Sequence, residues 1–250
     1  MRVADFERYI RQIQGYLRGE VVEIDGKISS MARLVDIDPS LDVEKPKIDI
    51  AATGPRTIAL AAKTADAISF SVGADAERLQ KATELARQAC DDTGRPFEEL
   101  ELGCYVQAAV VDDGDTSGRD AIRGVTLTHA RFSGFEVRPT VEDVSASEHR
   151  EYRHAVETME KVLRDPRGGV VRKEGGEPGE LDFYPQEAAS DELIDRFGIV
   201  GSAEYCAERL QEIVDLGFER IWIGTKSVGA DLRERNAHRL GREVLPLVRR

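Results

Sequence analysis

Apolar residues at the start of the chain recur at intervals of three and four positions: Val3, Phe6, Ile10, Ile13 and Leu17. This spacing predicts one buried face of a helix that ends near Gly19. Residues 20–46 then combine a short apolar stretch, a turn at Asp25-Gly26 and a polar run that contains proline. That mixture predicts a long connection with room for a small hairpin.

Beyond residue 46 the pattern becomes a regular alternation of strands and helices. Short apolar runs predict four strands, at 47–52, 67–72, 103–111 and 220–224. Helical spacing and capping signals predict helices at 55–63, 75–91, 117–131, 147–163, 202–217 and 230–248. Strands that alternate with helices are typical of a parallel α/β sheet, which is either open or closed into a barrel.

The number of strands limits which α/β fold this can be. A (β/α)8 barrel typically takes about 250 residues, and the chain has 250. Only four core strands are predicted, so the sheet is either small and open or part of a larger barrel. Residues 112–197 interrupt the alternation, and the glycine-rich stretch from Gly168 to Gly179 predicts a loop.

Composition and charge exclude several kinds of partner. The chain carries 47 acidic and 35 basic residues, for a net charge of −12. A general nucleic-acid binder needs a basic face to displace phosphate counterions, and a protein that binds an anionic membrane needs one too. We therefore expect neither partner.

The cysteines and the absence of long apolar segments indicate the compartment. Cys90, Cys104 and Cys206 lie far apart and form no Cys-x-x-Cys pair, which is typical of a reducing compartment. No run approaches the roughly 20 apolar residues of a membrane span, and the first residues form an amphipathic helix instead of a signal peptide. We expect a cytoplasmic protein.

One stretch, from Ile48 to Ile58, carries a pattern linked to ligand binding. A strand ends there in small residues, and Thr53-Gly54-Pro55 then opens a helix. Small side chains let a ligand approach the backbone, a glycine eases the φ angle, and a proline suits the first helical turn. The free amides of that turn, with Thr53 and Arg56 beside them, would suit a phosphate. The alternative is that Thr53 merely caps the helix.

The same region resembles a known family. The run from Ala51 to Ala62, Ala-Ala-Thr-Gly-Pro-Arg-Thr-Ile-Ala-Leu-Ala-Ala, and the run from Thr64 to Ala74, Thr-Ala-Asp-Ala-Ile-Ser-Phe-Ser-Val-Gly-Ala, resemble the luciferase-like flavin-dependent oxidoreductases. The similarity is greatest to the branch that uses the deazaflavin coenzyme F-420, which includes methylenetetrahydromethanopterin reductase and its relatives. Residues 6–20 and 198–223 are also similar to segments of that family.

This resemblance implies a TIM-type (β/α)8 barrel with an insertion before its last strand. The four predicted strands match the fifth to eighth strands of the family. The chain would then be a single luciferase-like domain over 1–250, N-terminally incomplete, with a helical insertion at 112–197 that includes the glycine-rich loop. In the family, the first four strands hold the flavin or deazaflavin ring and most acid–base groups, so no catalytic residue is assigned in this chain.

The resemblance also implies a cofactor and a place for its phosphate. By position, the residues that match the family's cradle for the cofactor's phosphate and side chain are Ala51, Ala52, Thr53, Gly54, Pro55 and Thr57. The cofactor would be reduced F-420 or, alternatively, FMN. The reaction would be hydride transfer to or from a small organic substrate, or monooxygenation with O₂.

Four further residues allow both a functional and a structural interpretation. His129 could line a substrate pocket, although a lone histidine is more often structural. Lys226, just past the last predicted strand, could meet a phosphate or only solvent. In apolar strands, Cys104 is expected to be an inert core thiol and Trp222 to pack in the core.

The sequence predicts no metal site. His149 and His154 are five positions apart, whereas two metal-binding histidines on one helical face are usually four apart. Asp112-Asp113-Gly114-Asp115 lacks the remaining spacing of a calcium loop, so we expect a turn with a helix cap there.

Two further hypotheses stand beside the oxidoreductase. The chain could be a catalytically inactive truncated remnant or a late-start gene model, because half a barrel exposes unpaired strand edges; the same edges could join copies into a homo-oligomer. The other hypothesis is a small open-sheet phosphate-binding module. That module requires a sheet of five or more strands, whereas four are predicted.

Overall fold

The structure is a computed structural model that describes residues 3–30, 46–131, 171–172, 181–182, 191–224 and 230–249. The chain divides into two compact units. One unit comprises residues 1–69 and 83–101, and the other comprises residues 70–82 and 102–250. The predicted helix at 147–163 and nearly all of the predicted glycine-rich loop lie outside the described residues.

The first unit begins with a helix and a hairpin. Helix α1 (Val3–Leu17) is followed by strands β1 (Val22–Ile24) and β2 (Lys27–Ser29). The two strands pair antiparallel around the Asp25-Gly26 turn, where both residues have positive φ angles of 50° and 76°. Asp and Gly are the residues that such a two-residue hairpin turn prefers. The predicted helix and hairpin are confirmed.

The next elements of this unit are β3 (Asp49–Ala52), α2 (Pro55–Thr64) and β4 (Ala67–Phe70). Strands β3 and β4 are neighbours. The end of α2 is held by Arg95, whose Nη1 donates to the carbonyl oxygens of Ala62 and Ala65 at 2.8 and 2.7 Å. A cation at a helix C-terminus satisfies carbonyls that have no partner within the helix and complements the helix dipole.

Helix α3 (Ala76–Asp91) and a short 3₁₀ turn at 97–99 lead to β5 (Glu101–Val110). Helix α4 (Ser117–Arg131) follows. Strands β6 (Val171–Arg172) and β7 (Leu181–Asp182) form a two-residue antiparallel pair. The last elements are α5 (Asp191–Phe197), β8 (Gly198–Gly201), α6 (Ala203–Asp215), β9 (Arg220–Gly224) and α7 (Ala230–Arg239). The predicted last helix continues past α7 as a π-helical turn at 240–244 and a 3₁₀ turn at 245–247.

Strand β5 is the centre of the second unit. Its residues Gly103–Gln107 pair in parallel with β9, and Gln107–Val110 pair in parallel with β8. Most of its side chains are buried, as expected for a strand covered on both faces. One apolar cluster comprises Ala109, Ile122, Ile194 and Val200. This cluster fixes α4 and α5 against β5 and β8.

The prediction of only four core strands is wrong. Strand β8 pairs with β5 in register, from Gln107 opposite Gly198 to Val110 opposite Gly201. It is four residues long, glycine stands at both ends, and α5 ends directly before it. Glycine signals a turn or a weak strand, so the pairing that makes this segment a strand comes from β5. The number of strands therefore no longer argues against the hypothesis of a small open-sheet phosphate-binding module.

No helix within the described residues is long and apolar enough to cross a membrane.

Ser202 is expected to stabilise α6 by about 1 kcal/mol as its N-cap. Its Oγ accepts a hydrogen bond from the Tyr205 amide at 3.3 Å, and Glu204 lies in the first turn. We expect Ser202→Ala to lower the free energy of unfolding by that amount in urea titrations. Ser202→Asp retains a capping oxygen and serves as the control. Equal stability of all three proteins would contradict the capping role.

Candidate functional site at the turn after β3

The turn between β3 and α2 contains the residues for which the sequence predicts a cofactor role. Helix α2 starts with Pro55 at its first position, as predicted, and Gly54 is the N-cap residue. No side chain caps this helix, so the alternative that Thr53 caps it is wrong. Thr53 lies one position too early, because a capping side chain belongs to the N-cap residue itself.

The helix start leaves a backbone donor open. The Gly54 carbonyl accepts from the amides of Thr57 and Ile58 at 3.0 and 2.9 Å, and Pro55 has no N–H to give. Within the described residues, no backbone group accepts a hydrogen bond from the Arg56 amide. An uncapped helix N-terminus carries a partial positive charge and unpaired donors. This start of α2 can therefore receive an anion.

The space in front of the turn is open. A Cβ built on Gly54 would meet no atom of the described residues within 4 Å. The φ and ψ angles of Gly54 are −119° and 159°, which any residue can adopt, so the expectation that glycine eases the φ angle here is wrong. Neither local strain nor packing requires glycine at this position. Glycine is a favoured N-cap residue, and it also lets a ligand approach the backbone closely.

The six predicted cofactor residues divide by exposure. Ala51 is exposed, and Thr53, Gly54, Pro55 and Thr57 are partly exposed around the helix start. Ala52 is only 1% exposed, because alternate residues of β3 face the core. Its side chain cannot touch a ligand, and only its backbone could. The partly exposed hydroxyl groups of Thr53 and Thr57 are the side chains of this set that can donate to a phosphate.

The strand face that carries Ala51 is fixed by a polar contact. Asp49 and Ala51 lie on the same face of β3, since they are two positions apart. The Ser69 hydroxyl on β4 donates to Asp49 Oδ2 at 2.7 Å. This hydrogen bond ties β3 to β4 immediately before the turn, so the candidate phosphate site has a rigid base.

In the second unit, charged groups hold the segment that follows β4. The Asp75 carboxylate accepts from the Arg78 amide at 3.1 Å and forms an ion pair with Arg196. The Ala74 carbonyl accepts from Arg209 Nη2 at 3.0 Å, and the Ala74 amide donates to the Phe197 carbonyl at 3.0 Å. These contacts fix the segment by both its backbone and its side chains.

His129 packs on this segment from α4. Its side chain is 4% exposed, and among the described residues its Nδ1 has no hydrogen-bond partner. Burial, and secondarily the charge of Arg78, lower the pKa of the imidazole to about 4. The ring is therefore neutral near pH 7 and lies away from solvent. Of the two interpretations made from the sequence, this burial favours the structural one.

Trp222 corrects an expectation from the sequence. The side chain was expected in the core, but it is 51% exposed. It stacks on Tyr105, its register partner on β5, with ring centroids 6.2 Å apart and planes inclined by 19°. The difference arises because no residue of β9 is fully buried, and Trp222 is the most exposed of its residues.

The remaining candidates behave as expected or lie outside the described residues. The Asp115 amide donates to the Asp112 carbonyl at 3.0 Å, so the predicted turn is present, and Asp115 Oδ1 accepts from the Ser117 amide at 2.8 Å, one position before the N-cap residue of α4. Cys104 is buried, and burial raises the pKa of its thiol to about 12, as expected of an inert core thiol. Lys226, His149 and His154 fall outside the described residues. Among the residues that are described, no group of three or more His, Cys, Asp or Glu could hold a metal ion.

Taken together, parallel strands followed by helices and an open turn after β3 define an α/β protein of the kind whose sites lie at the carboxyl ends of its strands. The family model for luciferase-like monooxygenases matches residues 1–220. The chain therefore belongs to the luciferase-like monooxygenase family, and the predicted resemblance is confirmed.

One curated relative is the 5,10-methylenetetrahydromethanopterin reductase of Methanolobus tindarius. It is 21% identical over 236 residues, which are 94% of this chain and 64% of the relative. The chain thus spans somewhat less than two thirds of the length of this relative.

Solved structures support the fold. The coenzyme F-420-dependent tetrahydromethanopterin reductase of Methanopyrus kandleri is similar with a TM-score of 0.64 at 17% identity, over 99% of this chain and 64% of that one. An F-420-dependent secondary alcohol dehydrogenase is similar with a TM-score of 0.61 at 13% identity, over 99% of this chain and 62% of that one. An FMN complex of a Baeyer–Villiger monooxygenase from Pseudomonas putida is similar with a TM-score of 0.51 at 10% identity, over 97% of this chain and 62% of that one. These matches confirm the predicted α/β fold of the TIM-barrel type.

Proposed function

We propose that the chain contributes the phosphate-binding part of an oxidoreductase that uses reduced F-420 or, alternatively, FMN. The observation that carries the proposal is the open, uncapped start of α2 after β3 in a member of this family. Relatives include two F-420-dependent enzymes and one that binds FMN. F-420 is favoured because the two solved structures that are named as F-420-dependent are similar with TM-scores of 0.64 and 0.61, against 0.51 for the FMN complex.

The residues of this chain would hold the cofactor's phosphate and side chain. The Arg56 amide and the dipole of α2 would bind the phosphate, and the missing side chain of Gly54 would let it approach the backbone. Ala51 would leave room beside the turn, while Thr53 and Thr57 would offer hydroxyl donors. The bound cofactor would supply the redox chemistry, as hydride transfer or as monooxygenation with O₂. The substrate would be a small organic molecule.

Gly54→Val is expected to weaken F-420 binding at least tenfold, which corresponds to about 1.4 kcal/mol. The new side chain would fill the space in front of the Arg56 amide, yet it would meet no protein atom within 4 Å at Cβ. Titration of the purified protein with F-420, and separately with FMN, would follow cofactor fluorescence. The cofactor that binds more tightly would identify the chemistry.

Gly241→Val is the matched control, since Gly241 is also open around its Cβ and lies outside the turn. It should bind the cofactor like the unchanged protein. Equal affinity of the Gly54 and Gly241 variants would reject the phosphate assignment. Size-exclusion chromatography of the same samples would show whether copies associate, as proposed for exposed sheet edges.

The alternative is a chain without activity of its own. The observation that favours it is that the chain spans 64% of the curated reductase. In that case neither F-420 nor FMN would show saturable binding to a monodisperse sample. Binding of one cofactor would favour the oxidoreductase.

A further inference from the structure

One face of β5 and β9 in the second unit carries a polar residue, Gln107, among apolar and aromatic residues. Side chains two positions apart on a strand share a face, and parallel register partners share it too. Tyr105 and Trp222 form the first pair on this face of β5 and β9, and Gln107 and Gly224 form the next. Further along, Ala109 is covered by Ile122 and Ile194 of α4 and α5. Gln107 therefore stands between an open aromatic pair and a closed apolar cluster.

The carboxamide of Gln107 lacks the partner that burial requires. The residue is 9% exposed, and its Oε1 makes no hydrogen bond to any residue that the structure describes. An acceptor buried without a partner is unfavourable, and native proteins rarely leave one. The torsion that turns a glutamine carboxamide has broad energy wells, so Oε1 can rotate toward the solvent-exposed part of the face at little cost.

One glycine makes room for this amide. Both register partners of Gln107, Gly198 on β8 and Gly224 on β9, lack a side chain, but the space beside Gly198 is filled by Ile122. A Cβ on Gly224 would lie 2.4 Å from Gln107 Nε2, so the amide rests on the last residue of β9. Gly224 is the carboxyl-terminal residue of β9, and the carboxyl ends of parallel strands are where such folds bind ligands. Gln107 lies level with this end of β9, while β5 continues to Val110 beside β8.

We propose that Gln107 binds a planar heterocycle through a lactam edge, with the Tyr105–Trp222 pair beside it as an aromatic surface. A carboxamide presents one acceptor next to donors, which complements an N–H group beside a C=O group. Trp222 offers half of its surface to a ring, and aromatic rings stack favourably. The inference rests on the proposed oxidoreductase function, since the ring would belong either to the cofactor or to the substrate.

The test uses lumazine, a fluorescent bicyclic ring with a lactam edge and no phosphate. Gln107→Met keeps the length of the side chain and removes the hydrogen-bonding groups. We expect it to weaken lumazine binding about tenfold or more, the loss usual when a ligand donor is left unpaired. We also expect a higher melting temperature without ligand, because the unpaired buried amide is gone. A purely structural glutamine would lower the melting temperature and leave lumazine affinity unchanged.

Gly224→Ala is a second, milder variant, which protects the test if Gln107→Met folds poorly. Its new methyl group would displace only the end of the flexible Gln107 side chain and should also weaken lumazine binding. Gln80→Met, on the exposed surface of α3, is the control and should change nothing. Unchanged lumazine affinity in both variants, or no saturable binding to the unchanged protein, would overturn the inference.

Competition distinguishes the two sources of the ring and the two proposals. Displacement of lumazine by F-420 or FMN would assign the site to the cofactor ring, whereas simultaneous binding would assign it to a substrate. Gly54→Val should weaken F-420 or FMN binding without changing the affinity for free lumazine. Unchanged F-420 and FMN affinity in Gly54→Val, with weaker lumazine binding in Gln107→Met, would reject only the phosphate site. Weaker cofactor binding in Gly54→Val, with unchanged lumazine affinity in Gln107→Met, would reject only the ring site.

Discussion

Acidification is expected to cost the protein about 3 kcal/mol of folding free energy through His129 alone. Burial lowers the pKa of this imidazole from its ordinary 6.5 to about 4 in the folded protein. An unfolded chain then binds a proton at higher pH than the folded protein does. The stability that depends on neutral His129 is therefore fully present above pH 6.5 and is lost progressively as the pH falls from 6.5 through 4.

The measurement compares urea unfolding at several pH values between 7 and 4. His129→Gln is neutral throughout this range, so its stability should decline less than that of the unchanged protein, by about 3 kcal/mol at the acid end. His238→Gln, at an exposed histidine, is the control and should follow the unchanged protein. Parallel pH curves for all three proteins would show that His129 is not held neutral by burial.

Removal of the Arg196 guanidinium is expected to destabilise the second unit by about 3 kcal/mol. Arg196 forms an ion pair with Asp75, whose side chain is only 6% exposed. In Arg196→Met that carboxylate stays buried and keeps the hydrogen bond from the Arg78 amide. A buried charge without a counter-charge is costly, whereas Arg196 itself is 36% exposed and contributes little through its own burial.

The double variant Asp75→Asn with Arg196→Met separates charge from packing. It removes the buried charge and should recover at least half of the lost stability in urea titrations. Arg11→Met breaks an exposed ion pair with Glu7 and should cost less than about 0.5 kcal/mol. A double variant as unstable as Arg196→Met would mean that the arginine acts by packing on Phe197, whose ring centroid lies 5.4 Å from Arg196 Cζ.

Local signals predicted most elements because each depends on neighbouring residues. The helical spacing that includes Ile10 predicted α1, Asp25-Gly26 predicted the hairpin turn, and Ser202 with Glu204 predicted the start of α6. In each case the physical cause lies within about one turn of chain. Such signals do not require knowledge of distant contacts.

The candidate site was located by the sequence but not fully described by it. The resemblance directed attention to the turn around Gly54, and the structure shows an uncapped helix start there. The strand pattern of β3 then excludes the side chain of Ala52, which is buried. Sequence reasoning missed Gln107, whose Oε1 is seen to lack a partner among the described residues only once β5 is paired with β8 and β9. A glutamine in the middle of an apolar strand was the available signal.

The sequence by itself determined the family, the alternation of strands and helices, and the position of the turn after β3, because these follow from local patterning and from motif similarity. Tertiary structure alone decided that Gly198–Gly201 is a strand, that Trp222 is exposed and that His129 is buried without a partner for Nδ1. These features depend on which distant segments pair or pack together. Burial and strand pairing are properties of the assembled fold, and a local sequence pattern does not contain them.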